Sequence, residues 1–191
     1  MNKRAKQAKV IRFFRKAHRI TGIYLFALFF ILSISGLVLG WKKHSKGLIL
    51  PRTEIGVSNN PNDWLPLSNL QSKALESIKS KGKSITEISR IDIRPEQGIA
   101  KFIFKNEYWE LQMDCTTAKV LAINKRHSDW LEDIHDGSIL DDLFKTRVEI
   151  IKLIYTTSMG GALILFTITG FWLWMGPKRM KKLSSSKLKL L

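Results

Sequence analysis

Two apolar runs of membrane-crossing length decide what this chain can fold into. Between Ile20 and Trp41 there are 22 residues without a formal charge, and from Leu153 to Met175 there are 23 more, "LIYTTSMGGALILFTITGFWLWM". At about 1.5 Å per helical residue the shorter run covers roughly 33 Å, enough for a hydrocarbon core of about 30 Å. Both runs are therefore expected to be transmembrane helices. Tyr155 lies near one rim of the second run and Trp172 and Trp174 near the other, where aromatic rings prefer to sit. A cleaved signal peptide would have a shorter apolar region and a small-residue cleavage site. The first run has neither and is read as an uncleaved signal anchor.

Charge orients the two spans. The net charge is +16, but it is unevenly placed. Residues 1–41 hold eight Lys/Arg and no acid, and residues 151–191 hold seven and no acid. Residues 42–150 hold 17 basic residues and all 16 acidic ones, so that segment is nearly neutral. A nucleic-acid binder would carry its basic excess on a folded domain. Here the excess flanks the spans, which is the positive-inside pattern and argues against a nucleic-acid partner. Both termini are expected in the cytoplasm and residues 42–150 outside it. The basic tails would also favour anionic lipid, by about 1 kcal/mol per Lys/Arg.

Periodicity divides the segment between the spans. Residues 42–66 read as a turn-rich linker containing "GVSNNPND". In "PLSNLQSKALESIKSKGKS", Leu67, Leu70, Ala74, Leu75 and Ile78 recur at helical spacing, with Ser68 as the expected cap and Gly82 as the stop. "SITEISRIDIR", with Ile85, Ile88, Ile91 and Ile93, "GIAKFIFKN" and "YWELQMD" alternate as strands, and "KVLAIN" follows the turn "DCTTA". Residues 67–124 are thus a small α+β domain of one helix and three or four antiparallel strands. Residues 125–152 read as juxtamembrane amphipathic helices. Trp130, Leu131 and Ile134 are expected to face lipid, Gly137 to end the first of these helices, and Ser138 with Asp141 to approach a capping box at the next. The remaining segments are 1–19, a basic N-terminus; 20–41 and 153–175, the spans; and 176–191, a basic tail whose "SSSKLKLL" end is expected to be disordered or to lie on the bilayer. The one cysteine, Cys115, has no partner for an internal disulfide and no metal-binding spacing.

The helix-then-hairpins unit, with Ala74 and Leu75, the strand around Phe102 and Phe104, and the close "ELQMDCTTAKVLAI", resembles the PepSY domain. Ala118 stands where that family usually has Gly after the acidic turn that starts at Asp114. "AHRITGIYLFALFFILSISGLVL", with His18, Arg19, Gly22, Ser35 and Gly36, resembles the first helix of PepSY-associated transmembrane proteins. "IHDGSILDD" followed by "LILFTITGFWLWMGPKR", with His135, Thr169, Gly170, Trp174 and Pro177, resembles the last. The resemblance runs from about Arg15 to Arg179. It implies a bacterial inner-membrane protein: two antiparallel transmembrane helices flanking an extracytoplasmic PepSY-like domain. Some larger members have additional helices and are associated with haem-dependent reduction of ferric siderophores; others have no assigned activity.

Four histidines then invite a haem reading, because neutral imidazole is a good iron ligand. His18 and His44 rim the first span, 26 residues apart, or about 39 Å along a continuous helix, so one iron cannot use both. If both are ligands there are two sites, one near each face. His135, which also matches the family motif, is the leading outer ligand, with His44 as its partner and His18 on the inner side. His18 would need a second copy, another subunit or Met175 to complete its iron. Each of these residues could instead be an ordinary interfacial or capping residue, and His127 reads as a surface residue. His127 and His135 are eight residues apart, not the four of a helical zinc pair, so no metal site is expected in "HSDWLEDIHDG".

Gly36 and Gly40 form a GxxxG, and Gly160 and Gly161 sit in the second span. They would serve either packing of the two spans together or dimerisation. "SISGLVL" and "TITGFWL" look alike. No nucleotide loop, GxSxG elbow, HExxH or paired-carboxylate motif is visible, so hydrolase and phosphotransferase chemistry has no residues to carry it. The expected function is haem b binding and electron transfer across the membrane, linked to ferric or ferric-siderophore reduction and iron uptake, as a homodimer or with a partner membrane protein. The alternative is a non-enzymatic PepSY binding or regulatory module, or a small subunit of a larger membrane complex.

Overall fold

The computed structural model describes residues 3–82, 87–105, 107–146 and 148–188. Ile85, expected at the start of a strand, lies outside the described residues, as do the last three residues of the tail. The chain divides into two units. One comprises residues 1–35 and 134–191, the other residues 36–133.

The first unit is built on two long helices, α1 (Lys3–Gly40) and α5 (Ile150–Leu188). Each contains a stretch long and apolar enough to cross a membrane, within Ala5–Gly40 and Ile150–Met180. Neither helix stops where the charges begin. α1 continues through the basic N-terminal residues, which hold no proline or glycine until Gly22. α5 runs through Pro177 to Leu188, so the described part of the "SSSKLKLL" end, residues 184–188, is helical. Proline costs a helix interior one backbone hydrogen bond and crowds the preceding turn, and α5 continues past it nonetheless. Tyr24, Phe26, Phe30, Leu163, Ile164 and Phe171 are all exposed, which in a chain with these spans is a lipid-facing surface.

The inter-span domain holds α2 (Leu67–Ser80) and strands β1 (Ile88–Arg94), β2 (Ile99–Phe104), β3 (Trp109–Asp114) and β4 (Val120–Lys125). The strands form one antiparallel meander in sequence order. Phe102 lies opposite Leu111, Ala100 opposite Met113 and Lys101 opposite Gln112. One face of the sheet is apolar. Leu70, Ala74 and Ile78, four residues apart on α2, are buried against Ala100, Phe102, Phe104, Leu111 and Met113. Leu67, read as part of that stripe, is exposed. Ser68 does not cap α2. The carbonyl of Pro66 takes that position and accepts from Asn69 N and Leu70 N at 2.9 and 3.2 Å. The helix ends as expected, with Gly82 in the left-handed region at φ +71°.

The other face carries Lys101, Glu110, Gln112 and Asp114, and these are buried too. The stretch read as a linker covers them. Glu54 N donates to Gln112 Oε1 at 2.8 Å, Gln112 Nε2 donates to Arg52 O at 2.7 Å, and Val57 N donates to Asp114 Oδ2 at 2.6 Å. Gly98, at φ +65°, has no room for a side chain, because a Cβ there would run into the Ser58 carbonyl. Alternation along β2 and β3 therefore marks two buried faces, one apolar and one polar. Cys115 is buried at the end of β3. Burial, reinforced by the Asp114 charge, pushes its thiol up to about 11, so the thiolate needed for reactivity is scarce near neutral pH.

Two short helices lead into α5: α3 (His127–Asp136) and α4 (Ser138–Phe144). Gly137 separates them at φ +82°. The expected capping box at Ser138 does not form. Ser138 N and Oγ instead donate to Asp136 Oδ1 at 3.0 and 2.6 Å. Asp141 points forward, accepting from Thr146 Oγ1, and from Ile151 N and Lys152 N at 3.1 and 2.7 Å. It caps α5 across the connecting loop, and its negative charge suits a helix N-terminus.

Candidate functional site

A heptad seam joins α1 and α5. Along α1 the less exposed positions include Ile11, Phe14, His18, Leu25, Leu32 and Ser35; along α5 they include Tyr155, Met159, Ala162, Phe166, Thr169 and Gly176. Alternating steps of three and four keep one stripe of each helix facing its partner. The contacts run in opposite directions along the two chains. The Phe14 ring stacks on Trp172 with centroids 5.7 Å apart, and Phe29 meets the edge of Phe166 at 5.3 Å. A Cβ on Gly176 would come within 2.8 Å of the Ile11 side chain, so glycine allows the closest approach there. The helices are antiparallel, and a buried hydroxyl meets a histidine at two points: Thr169 of α5 with His18 of α1, and Ser35 of α1 with His135 of α3.

The first point is His18. Its Nδ1 lies 2.7 Å from Thr169 Oγ1, and Thr169 is only 1 % exposed. The threonine hydroxyl has one proton, and it donates to Leu165 O at 2.7 Å, with Phe166 O at 3.2 Å. A hydroxyl that has given its proton to a carbonyl can only accept from the imidazole. When the hydroxyl proton lies on that carbonyl, the imidazole donates from Nδ1 and Nε2 is left with a lone pair; when it lies toward Nδ1, the roles reverse. The ring also stands edge-on to Phe166 at 4.7 Å, which limits its rotation.

The second point repeats the arrangement with different parts. His135 Nδ1 lies 2.9 Å from Ser35 Oγ. Ser35 is 4 % exposed and donates to Ile31 O at 2.8 Å, with Leu32 O at 3.2 Å. The same two arrangements are open to Ser35 and His135, and the one with the Ser35 proton on the carbonyl leaves Nε2 of His135 with the lone pair. Among the described residues neither Nε2 has a hydrogen-bond partner. His18 and Ser35 are 17 residues apart on one helix, so the two histidine positions are separated by about 26 Å along its axis. A metal-binding imidazole is commonly oriented in this way, through its other nitrogen.

Sequence reasoning found the histidines and missed why the serine and threonine matter. The signal was the likeness of "SISG" and "TITG". In each, the third residue is a hydroxyl that bonds back to its own helix and holds a histidine from another. His44 lies in the inter-span unit, in the short turn Lys42–His44, with an exposed side chain and, among the described residues, no side-chain hydrogen bond. His127 is exposed. Met175 is half-buried in α5. The acids of "HSDWLEDIHDG" are engaged: Glu132 pairs with Lys42 at 2.6 Å, Asp133 accepts from the Tyr108 hydroxyl at 2.8 Å, and Asp136 pairs with Lys152 at 2.9 Å. Among the described residues no three His, Cys, Asp or Glu side chains are grouped to hold a metal ion.

The inter-span domain has its own polar centre. Glu110, fully buried, pairs with Lys101 at 3.5 Å and with Arg126, and accepts from Gln112 Nε2 at 2.7 Å. Arg126 reaches Asp129 at 2.9 Å, which in turn meets Arg90 at 3.1 Å. Burial works against the charges on both Lys101 and Arg126. It prevails at Lys101, whose ammonium is pushed down despite Glu110. At Arg126 the neighbouring Asp129 and Glu110 outweigh it and hold the guanidinium up. At Asp114 burial is outweighed by the N–H groups of Thr117, Val57 and Thr116, which hold the carboxyl below its usual range.

Fold and site together define a membrane protein with two spans, an α+β domain between them, and a histidine anchored by a hydroxyl at each of two levels of the helix seam. The family model described as the PepSY-associated TM region matches residues 1–176, and the chain belongs to that family. No curated protein and no solved structure matches it.

Proposed function

We propose that this protein binds haem b through His18 and His135 and carries electrons across a bacterial inner membrane, toward ferric iron or ferric siderophores outside. The observation that carries the reading is the pair of anchored rings. Each is held through Nδ1 by a buried hydroxyl; in the tautomer protonated at Nδ1 the ring offers its Nε2 lone pair, and such a donor fits haem iron. Bound haem supplies one-electron chemistry at an iron held by imidazole nitrogen. The chain's residues do the positioning. Thr169 and Ser35 orient the rings, Phe166 restrains His18, and the apolar seam keeps water from the polar pairs. Two positions separated along α1 suit one site toward each face. His44 remains a third candidate, with less support because nothing described orients its ring. The basic tails favour cytoplasmic termini and an extracytoplasmic inter-span domain.

A second copy of the chain would complete the sites, since two helices are few to enclose a haem. The glycines support it. A Cβ added at Gly40, Gly160 or Gly161 would meet nothing within 4 Å, so these small residues do not serve the contact between α1 and α5 and are left for another helix. The test is a reduced-minus-oxidised spectrum of the purified protein in detergent. A b-type difference spectrum is expected, with haem content falling in His18→Ala and again in His135→Ala. If no haem copurifies and none binds when supplied, the reading is wrong. A haem-free protein that crosslinks through its inter-span domain to one stable protein partner would establish the regulatory alternative instead.

A further inference from the structure

The segment between the spans is nearly neutral overall, yet its charges are strongly sorted. A cavity of about 640 Å3 opens between the covering stretch 42–53, the turn after β1 and the polar face of the sheet. Seven of its lining residues are basic and one, Glu96, is acidic. The basic residues fall into two groups. Lys101 and Arg126 form a buried floor and are committed to Glu110 and Asp129, and Lys42 at the edge is committed to Glu132. Lys43, Lys46, Arg52 and Arg94 form an exposed rim. None of these four has a carboxylate within ion-pair distance among the described residues. Four cations without a carboxylate partner, of which Arg52 is tethered through Nε to the Lys46 carbonyl at 3.2 Å, stand against one carboxylate and leave an excess positive charge around a concave space. Like charges gathered in this way repel one another, and a bound anion removes the repulsion. Two of the four are arginines, whose planar forks match phosphate oxygens in pairs. The volume is that of a small-molecule pocket rather than a gap for a single water.

We infer that this cavity is a binding site for a phosphate-type oxyanion carrying two or more negative charges. The shared chemistry has two sources. Lys42 and Lys43 lie two and three residues past the end of α1, where a span of this length would bring them to the headgroups, and a soluble phosphate compound would meet the same rim. The site is independent of haem, and its test does not require haem to be bound.

The test uses the full-length protein in phosphatidylcholine nanodiscs, titrated calorimetrically with pyrophosphate at low ionic strength. Saturable binding is expected, weakened at least tenfold in Arg52→Gln/Arg94→Gln and in Lys43→Gln/Lys46→Gln. The control Lys73→Gln/Lys119→Gln, which removes the same charge away from the cavity, should stay within twofold of wild type. The replaced side chains are exposed, and a thermal melt confirms that each variant folds. Repeating the titration with phosphatidylglycerol in the nanodisc separates the sources. Loss of pyrophosphate binding there assigns the site to a headgroup, and undiminished binding assigns it to a soluble anion. The inference is overturned if wild type shows no saturable binding in phosphatidylcholine, or if the control weakens binding as much as the rim variants do.

Discussion

Buried polar groups are handled differently in the two units. In the inter-span domain the buried charges Lys101, Glu110, Asp114 and Arg126 end on one another, on Asp129 or on backbone N–H groups. In the helical unit the buried hydroxyls Thr169 and Ser35 each meet a histidine, His18 of α1 and His135 of α3, whose other nitrogen has no partner among the described residues. A group whose partners all lie within its own unit contributes to stability and specificity. A group with unused capacity is available to a ligand. The contrast predicts that disturbing the first set unfolds the domain, and that disturbing the second changes binding and leaves the fold intact.

The largest effect is expected at Glu110. Glu110→Ala leaves Lys101 and Arg126 buried without their shared carboxylate, a loss of about 3–5 kcal/mol. Chemical denaturation of the full chain, followed by amide hydrogen exchange at β2 and β3, should show the inter-span transition shifted accordingly and unmoved in His18→Ala. A loss under about 1 kcal/mol would mean that the network does not hold the polar face.

Asp114 comes next. Asp114→Asn weakens three charge-assisted bonds from Val57, Thr116 and Thr117 and should cost about 2 kcal/mol. Its native carboxyl titrates below the usual range, so its contribution is full above the ordinary carboxylate value. That contribution is lost as the pH falls through the lowered native value. Wild type and Asp114→Asn should therefore converge in strong acid. A gap that widens on acidification would contradict the assignment.

Thr169→Val and Ser35→Ala sharpen the other side of the comparison. Each removes the acceptor that orients a histidine, and haem affinity should fall about tenfold at the corresponding site. The inter-span transition should stay in place. Thr169→Ser, which keeps the hydroxyl, should restore binding. Equal affinity in Thr169→Val and wild type would reduce the pair to packing.

The smallest effect is a gain. Ala118 sits in the left-handed region at φ +54°, where the resemblance led to the expectation of Gly. Ala118→Gly relieves that strain and should stabilise the domain by roughly 1 kcal/mol or less, since a buried methyl is lost as well. A thermal melt measures it.

Much of this architecture was legible because it rests on local pattern. Uncharged runs longer than a bilayer is thick mark the spans, and the four-residue spacing of Leu70, Ala74 and Ile78 marks the packed face of α2. Alternation along β2 and β3 marks strands, and His18 and His135 stood out by their place in the family motifs. Less was legible where a segment's role depends on distant residues. Residues 42–66 read as a linker because they are rich in turns, yet their backbone satisfies Gln112 and Asp114. Asp141 read as part of a local cap, yet it caps a helix that begins beyond the loop. Ser35 and Thr169 stood out only by their place in the two similar motifs; in bonding back to their own carbonyls they do not differ from Ser33 and Thr167.

The sequence by itself determined that the chain has two spans, a helix-and-sheet domain between them, and membership in its family. Each depends on periodicity, length or ordered motifs, which survive without knowledge of contacts. The tertiary structure alone decided which hydroxyl meets which histidine, across 151 and 100 residues of chain, and which basic residues gather around one cavity. Those depend on the register in which helices lie side by side and on where the covering stretch crosses the sheet. Register is set by the summed packing of many side chains, so no short stretch of sequence reports it.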